Sequence, residues 1–280
     1  MAVPDGPSYI LEGNPARPGG PFTEAEKDSM MQLPEFEGYG YFPHRLTKIR
    51  QHQDKPVFAG MVESVDESVG RILETLHKLG LEKNTIVMIS ADNGGMSSPD
   101  AASTANLPLR GCKGWFYEGG IREPLIIRWP GMVEAGMVSH VPVISTDFYP
   151  TILQLTGFPL LPNEHKDGVS LAPLLLNGEA PQREALYWHW PHYSNHGQQS
   201  PASVIRKGDY KLIEYHENGY VQLFDLRNDI GEHRNLAVEM PDKVNELRDD
   251  LHQWETETNV GITKPNPDYK PNEKNVFLRW

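Results

Sequence analysis

The chain has 280 residues, of which 38% are hydrophobic and 23% charged, which fits one large folded domain or a large and a small one. A net charge of -12 argues against nucleic acid as a partner, because phosphate binding needs a basic face. A single cysteine excludes an internal disulfide framework, and no run of eighteen apolar residues exists to cross a membrane.

Residues 1–55 are rich in Pro and Gly and are expected to be poorly structured, without the apolar core of a signal peptide. Within them, Thr23 and Glu26 are placed to form a capping box, opening a short helix to Gln32. Phe58, Met61, Val62, Val65, Val69, Ile72, Leu76 and Leu79 then recur at helical spacing. Pro56 suits the first turn of that helix, and Gly80 suits its stop. Thr85–Ser90 is a continuous β-rich apolar run, expected to be a strand buried on both faces. Leu125–Arg128 reads as a second strand, and Thr146–Thr156 as a short helix closed by Gly157. Helix, short loop and buried strand give the α/β rhythm.

The composition shifts near residue 180. Ser203–Lys207, Tyr210–His216 and Tyr220–Leu226 are candidate strands, the last two joined by the Glu217-Asn218-Gly219 turn. Val244, Leu247, Leu251 and Trp254 lie on one helix face. This predicts a small antiparallel sheet covered by a helix over 181–260, after an α/β part over 56–180. A Pro- and Asn-rich tail, 261–280, is expected to wrap the surface.

Asp92 and Asn93 follow the first apolar strand, where ligands bind in open α/β sheets. Both offer the oxygen donors that calcium takes. An Asn-Gly turn with a turn aspartate explains the same residues without a ligand. Lys113 sits between Gly111-Cys112 and Gly114, where flanking glycines let the backbone approach an anion and the lysine supplies a point charge. A surface lysine on a glycine loop is the plainer alternative. Cys112 is expected to be a buried, inert thiol. His189, His192 and His196 cluster with Tyr187, Trp188, Trp190 and Tyr193. Their spacing fits no strong metal template, and the segment reads as an aromatic loop, either a substrate wall or a small aromatic core. Asp225, Asp229 and Glu232 are expected to be solvated loop acids.

The segment Asp92-Asn93-Gly94-Gly95, followed by Asn106-Leu107-Pro108-Leu109-Arg110-Gly111-Cys112-Lys113-Gly114-Trp115-Phe116-Tyr117-Glu118-Gly119-Gly120-Ile121-Arg122-Glu123-Pro124, resembles the formylglycine-dependent sulfatases of arylsulfatase type. These belong to the alkaline-phosphatase-like superfamily. Met61–Arg71, Ser145–Leu153, Asp167–Leu175, Arg206–Leu212 and Leu223–Leu226 extend the likeness over roughly residues 44–270. The resemblance implies an α/β fold, part of an alkaline-phosphatase-like α/β sandwich with a small C-terminal antiparallel sheet and helix. It implies that Asp92 and Asn93 are calcium ligands and that Lys113 binds the sulfate of an aryl or carbohydrate sulfate. His189, His192 and Arg122 are candidates for contact with a sulfated sugar. The family is usually periplasmic, secreted or lysosomal.

The family's nucleophile arises in a Cys/Ser-x-Pro-x-Arg sequence, which does not occur in these residues. Cys112 has Gly114 and Phe116 where Pro and Arg are required. The family's Asp-Asp metal pair and His-Thr-Pro segment are also missing. The chain therefore reads as the C-terminal half of a sulfatase, truncated or inactive alone, with apolar faces open to a complementing N-terminal chain. A remnant that binds sulfated glycans without turnover is the alternative. Phosphoryl transfer is disfavoured, because it would call for further Asp/His metal ligands.

Overall fold

The computed structural model describes residues 9–13, 23–26, 46–98, 103–194, 199–261, 263–264 and 267–268. No helix among them is long and apolar enough to cross a membrane. The chain divides into two compact units.

The first unit comprises residues 1–59, 91–123 and 187–280. Its N-terminal part contributes an antiparallel pair, β1 (Tyr9–Gly13) with β2 (Leu46–Arg50), inside a segment whose Pro and Gly content predicted little structure. Proline punctuation breaks helices, but it leaves short edge strands possible between the breaks. The Thr23/Glu26 capping box forms: Thr23 N donates to Glu26 Oε2 at 2.8 Å and Glu26 N to Thr23 Oγ1 at 3.3 Å. Residues 27–32 of the expected helix lie outside the described residues.

The centre of this unit is a four-stranded sheet in the order β5 (Ala185–Trp190), β6 (Ala202–Lys207), β7 (Tyr210–Tyr215), β8 (Val221–Asp225). β7 pairs antiparallel with β6 and with β8, setting Val204 opposite Ile213 and Leu212 opposite Leu223. The turn after β7 forms as its sequence predicts. Gly219 has φ +66°, which a side chain would resist, and Gly219 N donates to Tyr215 O at 2.9 Å. β5 is a correction, because this Trp/Tyr/His run was expected to be a loop. Pairing to β6 overrides its weak strand pattern.

Val204, Ile205, Leu212, Ile213, Leu223 and Phe224 are all fully buried, so both faces of the sheet are covered. One cover is α5 (Pro241–Thr258), which buries Val244, Leu247 and Leu251. Tyr187 stacks on Trp254 of that helix, ring centroids 4.9 Å apart. The other cover is the loop from Cys112 to Tyr117. It packs with Ala202, Val204, Ile213, Tyr215 and Phe224 in one apolar cluster. Alternation along a strand sends neighbouring residues to opposite faces, so a sheet apolar at every position needs two covers. The sequence pattern pointed only to the helix.

The second unit comprises residues 60–90 and 124–186. Most of α1 (Pro56–Lys78) lies here, and it buries no residue. Val65 is 62% and Ile72 56% exposed, so its apolar stripe meets no partner among the described residues. β3 (Val87–Ser90) pairs antiparallel with β4 (Leu125–Arg128) in a two-stranded sheet. β3 is half-buried at best, which corrects the expectation of burial on both faces. The run is apolar enough for a sheet interior, but two strands cannot enclose one of their own members. After the Ser145–Asp147 turn, α3 (Phe148–Leu155) ends near Gly157, whose φ is +79°. Asp147 is fully buried and accepts from Ile144 N, Val169 N and both terminal nitrogens of Arg183, knitting the turn before α3 to the approach to α4 (Ala172–Asn177).

Candidate functional site

β3 delivers the chain to a turn, Ala91–Gly95, and this turn is fixed by backbone contact with glycines 25 residues later (94 against 119). Gly94 N donates to Gly120 O at 3.1 Å. A Cβ on Gly94 would lie 1.8 Å from Gly119 O, so only glycine permits the approach. Gly119 and Gly120 open the short α2 (Glu118–Ile121) and nest in turn against the loop before them. Gly119 N donates to Arg110 O at 2.7 Å, and a Cβ on Gly120 would meet Trp115 O at 2.2 Å. The Asn106 side-chain amide donates to Gly95 O at 2.8 Å and to Gly111 O at 3.0 Å, joining the two loops directly. The structure therefore packs the Asp92-Asn93 turn and the Lys113 loop on one glycine platform.

The Lys113 loop is itself clamped from below. Tyr117 is buried, stacks on Trp115 and donates its hydroxyl to Gln222 Oε1 at 3.0 Å. Burial pushes its phenol up to about 12, so it remains a neutral donor. The Arg110 guanidinium lies 4.1 Å above the Tyr117 ring, forks onto both oxygens of Glu12 at 3.0 and 2.8 Å, and donates to Glu232 O at 2.8 Å. Beneath α2, the ammonium of fully buried Lys211 lies 3.1 Å from Glu118 Oε1 and 2.8 Å from Glu232 Oε1. Burial pushes the Glu118 carboxyl up, but Lys211 and Arg206 outweigh it and hold it below the ordinary range. Glu232 goes the other way, because burial exceeds the pull of Lys211. Glu232 also accepts from Glu118 N at 2.6 Å. This corrects the expectation that Glu232 is a solvated acid: it is fully buried and central to the clamp. Nothing in its own neighbourhood signals this, since its partner stands 21 residues earlier on β7.

Above the platform, Lys113 is half-buried between buried Cys112 and Gly114, and among the described residues it has no carboxylate partner. Cys112 is fully buried and burial raises its thiol, which fits the inert role expected. Asp92 is exposed and Asn93 half-buried. Burial, then the charge of Asp92, raises the carboxyl of Glu123. Glu123 Oε1 is buried without a hydrogen-bond partner. The Asp92 and Glu123 carboxylates interact here, with the Asn93 amide next to Asp92 in the chain, a donor set that fits a hard cation. Arg122 closes α2; its half-exposed guanidinium lies 3.6 Å from Glu118 Oε2.

His189 and His192 are not held together. His189 on β5 directs Nδ1 to Ser203 Oγ at 2.8 Å and Nε2 to Gly261 O at 3.0 Å. His192 is exposed and meets the edge of Trp190. The aromatic segment is divided between both roles expected of it. Tyr187 and Trp188 pack inward, while Trp190 and Tyr193 stay nearly half exposed.

Residues 19–158 match the family model for sulfatases, and residues 112–259 match the model for the C-terminal region of N-sulphoglucosamine sulphohydrolase. The chain belongs to the sulfatase family. It is 34% identical to a sulfatase of Formosa agariphila over 242 residues, covering 78% of this chain and 43% of the relative. It is 33% identical to human arylsulfatase A over 204 residues, covering 73% of this chain and 38% of the relative. Its fold matches a solved structure of BT4656 in complex with its substrate, D-glucosamine-2-N,6-O-disulfate, at a TM-score of 0.62 and 30% identity, covering 73% of this chain and 41% of that one. The sulfatase chain thus spans about two fifths of the length of these relatives, matches the C-terminal region of the family, and has an alkaline-phosphatase-like α/β fold with an antiparallel sheet and helix.

Proposed function

We propose that this sulfatase chain carries the cation- and sulfate-facing half of a site that hydrolyses sulfate esters, with a sulfated carbohydrate as the substrate class. The observation that carries the reading is the glycine platform, which sets the Asp92-Asn93 turn against the Lys113 loop through Gly94 N to Gly120 O. Calcium bound by Asp92 and Asn93 would polarise the sulfate oxygens. Among the described residues Lys113 offers a positive charge with no carboxylate partner, and a sulfate oxyanion would take that place. Arg122, exposed at the end of α2, adds a second cation for an anionic sugar. His192 is free to meet the sugar, whereas His189 would do so only by leaving Ser203 and Gly261. The Cys/Ser-x-Pro-x-Arg sequence does not occur in these residues, so they are given no part in the attack on sulfur. The sugar class follows from the glucosamine disulfate that BT4656 holds.

Calorimetric titration of the 280-residue chain with calcium tests the cation half. Binding is expected in the millimolar range, because Asp92 and Asn93, even with Glu123 beside them, supply few of the oxygens calcium prefers. Asp92→Ala should weaken it by about tenfold or more, the loss of one charged ligand. Equal affinity in the variant would remove Asp92 from the site.

A further inference from the structure

A second cluster of ligating side chains lies in the same unit, built from the C-terminal sheet and its helix. His189 from β5, His216 just after β7 and Glu255 from α5 bring one donor atom each to within 4.8 Å of one another. Ser203 Oγ stands among them, 2.8 Å from His189 Nδ1, 2.9 Å from His216 Nε2 and 2.5 Å from Glu255 Oε1.

The cluster is short of protons. A serine hydroxyl has one proton to give. The outer nitrogen of His189, Nε2, faces Gly261 O at 3.0 Å, and a carbonyl only accepts. The ring proton of neutral His189 therefore sits on Nε2, and a lone pair on Nδ1 points at Ser203. The Glu255 carboxylate also offers only lone pairs. Two acceptors compete for one hydroxyl proton. The third neighbour, His216, faces Thr263 Oγ1 through Nδ1 at 3.1 Å. With its proton there, it turns another lone pair toward the same point. Two lone pairs, and a third in that tautomer of His216, converge on a space that a single proton does not satisfy, and a cation would.

We propose that His189, His216 and Glu255 form a zinc site that fastens the last helix to the sheet. Two imidazoles and a carboxylate are zinc ligands, and imidazole donors select zinc over the oxygen-seeking calcium. His189 Nδ1 and Glu255 Oε1 are 3.7 Å apart, near the ~3.4 Å that tetrahedral coordination at ~2.1 Å imposes. Both histidines already have the outer contacts of metal ligands: one ring N–H on a backbone carbonyl, the other ring nitrogen on a hydroxyl. Ser203 Oγ occupies the point where the ion would sit. It must rotate away on binding, leaving the fourth position to water.

The test uses the full chain, freed of metal with a chelator and then equilibrated with zinc chloride. Bound zinc is measured by elemental analysis and thermal unfolding. Cobalt replaces zinc in a parallel sample to read the tetrahedral absorption bands. One equivalent of zinc, a raised melting temperature and tetrahedral cobalt bands are expected. Ser203→Ala, which removes the competing hydroxyl, should bind at least as tightly. His216→Ala and Glu255→Gln, each checked by circular dichroism for folding without metal, should lose the bound equivalent. Failure of both the parent chain and Ser203→Ala to take up zinc would overturn the proposal. So would a full equivalent retained when His216 and Glu255 are both replaced.

Discussion

Replacing Lys211 with methionine should destabilise the unit that carries the candidate site by about 3–5 kcal/mol at neutral pH, the usual consequence of stranding buried charge. Lys211 is fully buried, and its ammonium is shared by Glu118 and Glu232, both also buried. Methionine keeps the stem and its packing but removes the charge. The two carboxylates would then face each other with weaker support from Arg206, 3.7 Å from Glu118 Oε2, the half-exposed Arg122, and Arg110, whose charge reaches Glu232. The pH response distinguishes this cause from lost packing. In the parent chain Glu118 is held below its ordinary range. Its stabilisation is present above the unfolded carboxylate pKa and is lost as pH falls through the folded one. In the variant, burial opposed by less counter-charge shifts both carboxyls upward. Stability would then be greatest below the unfolded pKa and would decline as pH rises through the folded values. Urea midpoints across the acid range should therefore show the gap between the parent chain and Lys211→Met narrowing on acidification. A gap that stays constant would assign the effect to packing.

Gly94→Ala should be the second most damaging change, at roughly 3 kcal/mol from overpacking and the loss of one hydrogen bond. The added methyl would fall 1.8 Å from Gly119 O and 2.8 Å from Gly120 Cα, both backbone atoms that no rotamer change can move. Relief requires the Asp92-Asn93 turn to lift off α2, breaking the Gly94 N to Gly120 O bond. Stability and cation binding should fall together, because one contact supports both. Gly70→Ala in α1 is the matched control. Nothing lies within 4 Å of its would-be Cβ, and alanine in a helix should add up to about 1 kcal/mol. Comparable losses in the two variants, read from denaturant midpoints, would refute the platform account.

Local patterns were legible in the sequence wherever one element determines its own structure. Val244, Leu247 and Leu251 step along one helix face and are the residues that α5 buries. Asn218-Gly219 marks the β7–β8 turn because a positive φ is needed there. Cys112 was legible as inert, since nothing in the sequence offered it a base. Tertiary pairings were not legible in this way. Lys211 looks like any strand lysine, and Glu232 like a loop acid, until β7 and the turns after β8 bring them to 2.8 Å. The cover formed by Cys112–Tyr117 was hidden because a Gly- and aromatic-rich loop carries no period. α1 and β3 show the reverse case. Their apolar patterns are clear, yet they find no enclosing partner among the described residues, so pattern alone overstated their burial. At the site, Asp92, Asn93 and Lys113 were weak signals singly. Family resemblance joined them, and the physical reason is the run of glycines that lets three backbone segments touch.

The central claim is that the Asp92-Asn93 turn and Lys113 act together on a calcium-bound sulfate. Calorimetric binding of glucosamine 6-sulfate to the 280-residue chain, with and without calcium, tests it most directly. The account predicts binding in the millimolar range that needs calcium, disappears with the unsulfated sugar, and weakens about tenfold or more in Lys113→Ala, the loss of one charged hydrogen-bond donor. Binding that ignores both calcium and Lys113, or no binding at all by the folded chain, would contradict it.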